Sequence, residues 1–174
     1  MAKLLWLLRH FEAVDNPPPG GRDRDRRLSL RGEAEAEALG VAIEAGEVDA
    51  ALPALILSSP AARTRATSEA VFGRVSSPSS LATDARLYRA TPDDVIEILR
   101  ELPDELEAVA LVGHNPTLHC LSLDLVTEQP DGGLRASSTR SPPGSLAIIE
   151  LPVASWAELG WAEGRLCVLR IPRR

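Results

Sequence analysis

Aromatic residues are scarce in this 174-residue sequence, at 3%. Ala and Leu must therefore fill the interior of a chain whose hydrophobic content, 44%, is that of a globular protein. Cysteine is scarce too. Cys120 and Cys167 form no C-x-x-C pair and have no His at zinc-finger spacing, so they read as two thiols in or near the core. Positive charge is in deficit, with 19 Lys and Arg against 25 Asp and Glu and a net charge of −6. That excludes nucleic acid or an anionic membrane as the main partner. It still leaves room for a local basic pocket that takes a small anion. No stretch approaches the roughly 20 apolar residues of a membrane span. The short apolar run near the N-terminus follows one Lys and ends in Arg9, which fits a strand rather than a signal peptide. A reducing cytoplasm is the expected location, and the length suits one domain over residues 1–174 with a sizeable core.

Short apolar runs alternate with helical patterns. Leu4–Leu8, Ala54–Leu57 and Ala108–Gly113 read as buried strands, and "SLAIIEL" and "LCVLRI" as strands near the C-terminus. Asn16 to Arg27 is a loop. Ser29 is placed to cap a helix running through "EAEAEALGVAIEA". Ser59-Pro60 and Thr91-Pro92 each look like a cap followed by Pro at the first helical position. After the second of these, Val95, Ile98, Leu99 and Leu102 recur at i, i+3, i+4, i+7, the core face of a helix. Asn115-Pro116 is expected to cap one more helix. The stretch from Thr127 to Ser145 reads as a mobile loop beside the site or at a sheet edge. Strands alternating with helices predict an α/β fold, a three-layer α/β/α sandwich with a mainly parallel central sheet.

Three strand ends carry the chemistry. The first delivers Arg9-His10, the second runs "LILSSPAAR" to Arg63, and the third runs "ALVGHNP" to His114. Ligands of open α/β sheets bind outside the carboxyl ends of the strands. Two Arg and two His would meet there, beside helix N-termini whose free N–H groups favour anions. Taken singly, an Arg after a strand is usually a solvated end and a His usually structural. All four at one sheet edge read as a phosphate site, with guanidinium as the planar partner for its oxygens.

These stretches resemble the histidine phosphatase superfamily, also called phosphoglycerate-mutase-like. Its Arg-His-Gly appears as Arg9-His10-Phe11, its Ser-Ser-Pro-x-x-Arg as Ser58 to Arg63, and the Gly-His-Asn-Pro of its small bacterial branch as Gly113 to Pro116. "DRDRRLSLRG" at Asp23–Gly32 is similar to that branch's D-x-x-R-x-L-[ST]-x-x-G. The short length and Gly-His-Asn-Pro look most like SixA-type phosphohistidine phosphatases. The resemblance implies a metal-independent phosphatase without cofactor. His10 would be the nucleophile, passing through a phosphohistidine intermediate, and Arg9, Arg63 and His114 would hold the phosphoryl oxygens. It also implies a phosphohistidine-bearing protein as substrate. A small phosphate ester, or a non-catalytic module that binds a phospho-ligand, is the alternative. A protonated His114 would be favoured by the anion it contacts.

Phe11 departs from the family's Gly. Its carbonyl can still orient the imidazole, while its ring is expected to narrow the pocket. Asn16 falls where some members place a phosphate-contacting Asn, and is equally a turn residue before Pro17. The Arg24, Arg26 and Arg27 run, mixed with Asp23 and Asp25, reads as solvated. His119 reads as structural, and a metal site from His10, His114 and His119 lacks carboxylate support.

Overall fold

The computed structural model describes residues 2–74, 80–128, 141–161 and 163–172. Seven strands form one sheet: β1 (Lys3–Arg9), β2 (Leu55–Ser58), β3 (Ser80–Thr83), β4 (Ala108–Gly113), β5 (Val126–Glu128), β6 (Leu146–Leu151) and β7 (Gly164–Arg170). Their order is β3-β2-β4-β1-β6-β7-β5. The pairs β2–β3, β2–β4, β1–β4 and β5–β7 are parallel, and β6 runs antiparallel to both neighbours. The mainly parallel sheet is the one the sequence predicts. β3 and β5 were not expected; both are short, and β3 is largely exposed, so neither shows an apolar run.

Among the described residues four α-helices cover the faces: α1 (Leu30–Glu44), α2 (Ala62–Phe72), α3 (Pro92–Arg100) and α4 (Thr117–Leu125). The alternation of β1 assigns them. Trp6 and Leu8 join Ala36, Leu39 and Ile43 of α1 and Val71 and Phe72 of α2 in one apolar cluster. Leu5 and Leu7 join Val95, Ile98 and Leu99 of α3 and Leu118, Leu121 and Leu125 of α4 in the other. The period-2 alternation of a strand thus feeds two cores, one on each side. Ile96, outside the expected spacing on α3, is buried as well. α1 and α2 approach so closely that a Cβ on Gly40 would lie 2.5 Å from Ala70 O.

The helix starts follow the sequence in part. Ser29 Oγ accepts from Gly32 N at 3.0 Å, and Thr91 with Asp94 makes a reciprocal capping box with Pro92 behind it. Ser59 and Asn115 do not cap. α2 begins after Ala61 and α4 after Pro116, neither with a side-chain cap. Their polar groups are used elsewhere: Ser59 Oγ lies 2.8 Å from His114 Nε2, and Asn115 Nδ2 donates to Ser141 O at 2.9 Å. The Thr127–Ser145 loop lies largely outside the described residues; Thr127 and Glu128 belong to β5. Cys120 and Cys167 are half-buried free thiols. No helix among the described residues is long and apolar enough to cross a membrane.

Candidate active site

The register of the sheet brings the three strand ends into one row. Arg9 pairs with Gly113 across β1–β4, and Ser58 pairs with Val112 across β2–β4. His10 N then donates to Gly113 O at 3.1 Å, and Ser59 N to Val112 O at 3.0 Å. The chain leaves β1 for α1 on one face and β4 for α4 on the other. Adjacent strands whose connections part in this way open a crevice between their carboxyl ends. His10 and His114 face each other there, ring centroids 5.3 Å apart. Arg63, in the first turn of α2, reaches His114 Nδ1 with Nη2 at 3.4 Å. Arg9 joins through charge, since it lowers the proton affinity of both imidazoles. The four residues singled out in the sequence therefore share one place.

Hydrogen bonding sets the state of each imidazole. His10 Nδ1 is 2.6 Å from Phe11 O. A carbonyl only accepts, so Nδ1 carries the hydrogen and Nε2 keeps its lone pair. Burial pushes His10 down to about 3, opposed by the Phe11 carbonyl and reinforced by His114, Arg63 and Arg9. At neutral pH this ring is unprotonated at Nε2. For His114, the donor from Arg63 falls on Nδ1, so Nε2 carries the hydrogen towards Ser59 Oγ. Burial and the charge of Arg63 push His114 down to about 4, partly offset by Asp23. The cationic form expected of His114 therefore requires an anion to create it.

Both guanidiniums are partly tethered and partly free. Arg9 Nη1 donates to Ser141 O at 2.6 Å, an acceptor it shares with Asn115. Arg63 Nη1 donates to Asp23 O at 2.8 Å and Nη2 to Asp23 Oδ2 at 3.1 Å. Among the described residues, Arg9 Nε and Arg63 Nε are buried without a hydrogen-bond partner. A buried cation, Arg63, and a half-buried one, Arg9, each with a spare donor, beside two neutral imidazoles, make a site with a net demand for an anion.

Two expectations are corrected here. The Asp23–Arg27 stretch is not simply a solvated charge run. Its 3-10 turn (Asp23–Asp25) packs against α2, and the Asp23 carboxylate accepts from Arg63, from Arg26 Nη1 at 3.1 Å and from Tyr88 Oη at 2.9 Å. Burial works against the ionised form, but these three donors and the charge of Arg63 hold Asp23 at about 2. Arg24 does remain in solvent beside Asp25. Asp23 and Tyr88 are the site residues that sequence reasoning missed. The available signals were the i, i+3 spacing of Asp23 and Arg26 and the presence of a single tyrosine in the chain.

Nor does Phe11 narrow this crevice. Its ring is 2% exposed and packs with Leu28, Ala36, Leu39 and Leu146 beneath α1. There it lies against Gly144, where φ is +82° and a Cβ would collide with the ring. Only its backbone serves the site. Replacing Phe11 with Gly is expected to cost about 3–5 kcal/mol of stability through the cavity it leaves. The folded variant should keep its turnover within a few-fold, because the carbonyl remains. Urea unfolding and activity at low temperature check the two halves separately.

Asn16 lies in an exposed bend, and among the described residues no hydrogen bond joins it to the cluster. His119 sits on α4 with Nδ1 3.1 Å from Ser141 Oγ. Burying two imidazoles in their neutral forms also links folding to pH. Both are lowered in the folded chain from 6.5, so their contribution is fully present above about pH 6.5. It is lost as pH falls towards the folded values of about 4 and about 3. At pH 5 the loss is on the order of 2 kcal/mol for each group. Urea midpoints measured from pH 7.5 to 4.5 should fall steadily, and the double variant His10→Gln/His114→Gln should flatten the slope.

Comparison with known proteins fits this geometry. The family model for the histidine phosphatase superfamily (branch 1) matches residues 5–88, the part holding Arg9, His10 and Arg63. An uncharacterised protein of Mycobacterium leprae is 30% identical over 154 residues, covering 87% of this chain and 89% of that protein. A solved structure of a candidate phosphohistidine phosphatase SixA from Agrobacterium tumefaciens superposes with a TM-score of 0.76 at 28% identity, covering 99% of each chain. The protein histidine phosphatase SixA complexed with tungstate shares the fold, with a TM-score of 0.72 at 19% identity and coverage of 97% and 96%.

Proposed function

The chain belongs to the histidine phosphatase superfamily, and from that membership we propose that it removes phosphoryl groups from phosphohistidine in a protein, with His10 as nucleophile. The observation that carries the reading is the Phe11 carbonyl on His10 Nδ1, which leaves Nε2 as a lone pair among Arg9, Arg63 and His114.

In the first step Nε2 attacks phosphorus, forming a P–N bond while the bond to the leaving imidazole breaks; that imidazole already carries a proton on its other nitrogen and departs neutral. Charge builds on the three equatorial oxygens, where the guanidinium donors and His114, protonated from solvent as the phosphoryl dianion binds, stabilise it. His114 is suited to this because its Nδ1 carries no hydrogen, accepting only the long 3.4 Å contact from Arg63 Nη2, and its affinity for a proton rises when a dianion arrives. In the second step water attacks the same phosphorus from the opposite side. The bond to Nε2 breaks, inorganic phosphate leaves and His10 returns to its neutral form. No metal is needed in either step, since the positive charge comes from side chains. The test compares phosphate release from a phosphohistidine protein with release from a panel of small phosphate esters. Faster release from the esters would favour small-molecule hydrolysis, and none from either would favour a binding module.

A further inference from the structure

We infer that Asp23 is the positioning residue for Arg63, an inference that rests on the reading of Arg63 as a phosphoryl-binding cation. Arg63 is the most enclosed charge of the site, its side chain 8% exposed. Two of its N–H groups, one on each terminal nitrogen, go to a single residue: Nη1 to Asp23 O and Nη2 to Asp23 Oδ2. Two bonds along one edge fix the plane of a guanidinium as well as its position. That leaves Nε–H without a partner among the described residues and Nη2 also facing His114.

The half-exposed Asp23 carboxylate is in turn held by three side-chain donors. Its Oδ1 accepts from Arg26, and its Oδ2 accepts from Tyr88 as well as Arg63. Arg26 ties the turn to Val14 O through Nε at 2.7 Å, and Arg22 N donates to Asp25 Oδ2 across the turn at 2.8 Å. Tyr88 stands edge-on to His114, with centroids 5.8 Å apart and planes at 85°. One carboxylate therefore connects the turn after β1, the start of α2 and the segment after β3, and it does so at the guanidinium.

The same contact has an opposite interpretation. A carboxylate on Arg63 could be a plug that an incoming oxyanion must displace. The geometry favours positioning. The Asp23 carbonyl is fixed within the turn, where it also accepts from Arg26 N at 3.1 Å, and the carboxylate is anchored by two donors besides Arg63. The two interpretations predict opposite signs. If Asp23 positions Arg63, its loss weakens oxyanion binding; if it plugs the site, its loss tightens binding.

The experiment measures sulfate binding by calorimetry for the wild type, Asp23→Ala, Asp23→Asn, Tyr88→Phe and Arg63→Ala. Sulfate keeps a constant charge across the pH range used. Asp23→Ala should weaken binding about tenfold, as expected for loss of a charged partner. Asp23→Asn, which keeps an acceptor for Nη2, should recover most of that loss, and Tyr88→Phe should fall between them. A second readout separates positioning from mere support of the fold. Arg63, Arg9, His10, Tyr88 and Ser59 surround His114, and among the described residues Asp23 is the one anion acting on it. Removing that charge lowers the proton affinity of His114. In Asp23→Asn, binding should therefore fade with rising pH at a lower midpoint than in the wild type.

Equal or tighter sulfate binding by Asp23→Ala overturns the inference, as does an unmoved midpoint in Asp23→Asn. If Arg63→Ala binds sulfate as the wild type does, the reading of Arg63 itself fails, and the role of Asp23 falls with it.

Discussion

Replacing His10 with Ala is expected to lower turnover at least about 10⁴-fold, because the proposed intermediate cannot form without Nε2. The loss should be confined to chemistry. Arg9, Arg63 and His114 remain in place, so oxyanion affinity should change by no more than a few-fold. The wild type, quenched early with base during turnover of a ³²P-labelled substrate, should retain up to one phosphoryl group per chain in an acid-labile linkage. Peptide mapping should place it on His10. His10→Ala should trap none. A variant that still turns over within tenfold of the wild type, or a wild type that never carries label, would remove His10 as nucleophile.

The second large effect concerns the leaving group. Phosphoramidates, phosphohistidine included, should be hydrolysed at least about 10²-fold faster than alkyl phosphates, judged by kcat/KM. Expelling an alkoxide calls for a general acid, a contribution of about 10²–10⁴. Four carboxylates of this region already have partners. Glu12 accepts from Ser29 Oγ at 2.8 Å and lies 3.8 Å from Arg31. Asp84 is bound by Arg86, which holds it below its ordinary value. Asp94 serves the α3 capping box. Asp23 stays ionised down to about pH 2 and has no proton to give. An imidazole leaving group has little need of such an acid, since its P–N bond is labile and protonation at its other nitrogen makes it depart neutral. Comparable rates on an alkyl phosphate that vanish on replacing one of these carboxylates would identify the acid and favour a small ester as substrate.

The parts of the site that sequence could reveal are those held by regular structure. Arg9, His10 and His114 follow directly from apolar strands, so their row at the sheet edge can be read from where each strand stops. Arg63 follows from the strand-to-helix turn. Thr91 behaves as its pattern predicts because no site residue competes for its hydroxyl. Ser59 breaks its pattern for the opposite reason: its hydroxyl is taken by His114, a partner 55 residues away. Asp23 was hidden in the same way. In one dimension it is an acid among arginines, and only the packing of its turn on α2 selects Arg63 over solvent. Phe11 misled because the family pattern marks its position as special without showing that its side chain turns into the core. The short edge strands β3 and β5 owe their existence to ladder bonds with neighbours rather than to their own composition.

The pairing of Arg9 with Gly113 makes β1 a ruler as well as a wall. Its side chains alternate between two different cores, Trp6 and Leu8 on one side, Leu5 and Leu7 on the other. Deleting any one residue from Leu4 to Leu8 would do two things at once. It would exchange the partners of every residue on one side of the gap, and it would draw the imidazole back about 3.3 Å from the cations on the neighbouring strands. Substitution among apolar residues costs packing alone, whereas a change of length costs packing and alignment together. In descendants of this gene, the spelling of β1 is free to drift while its letter count stays constant.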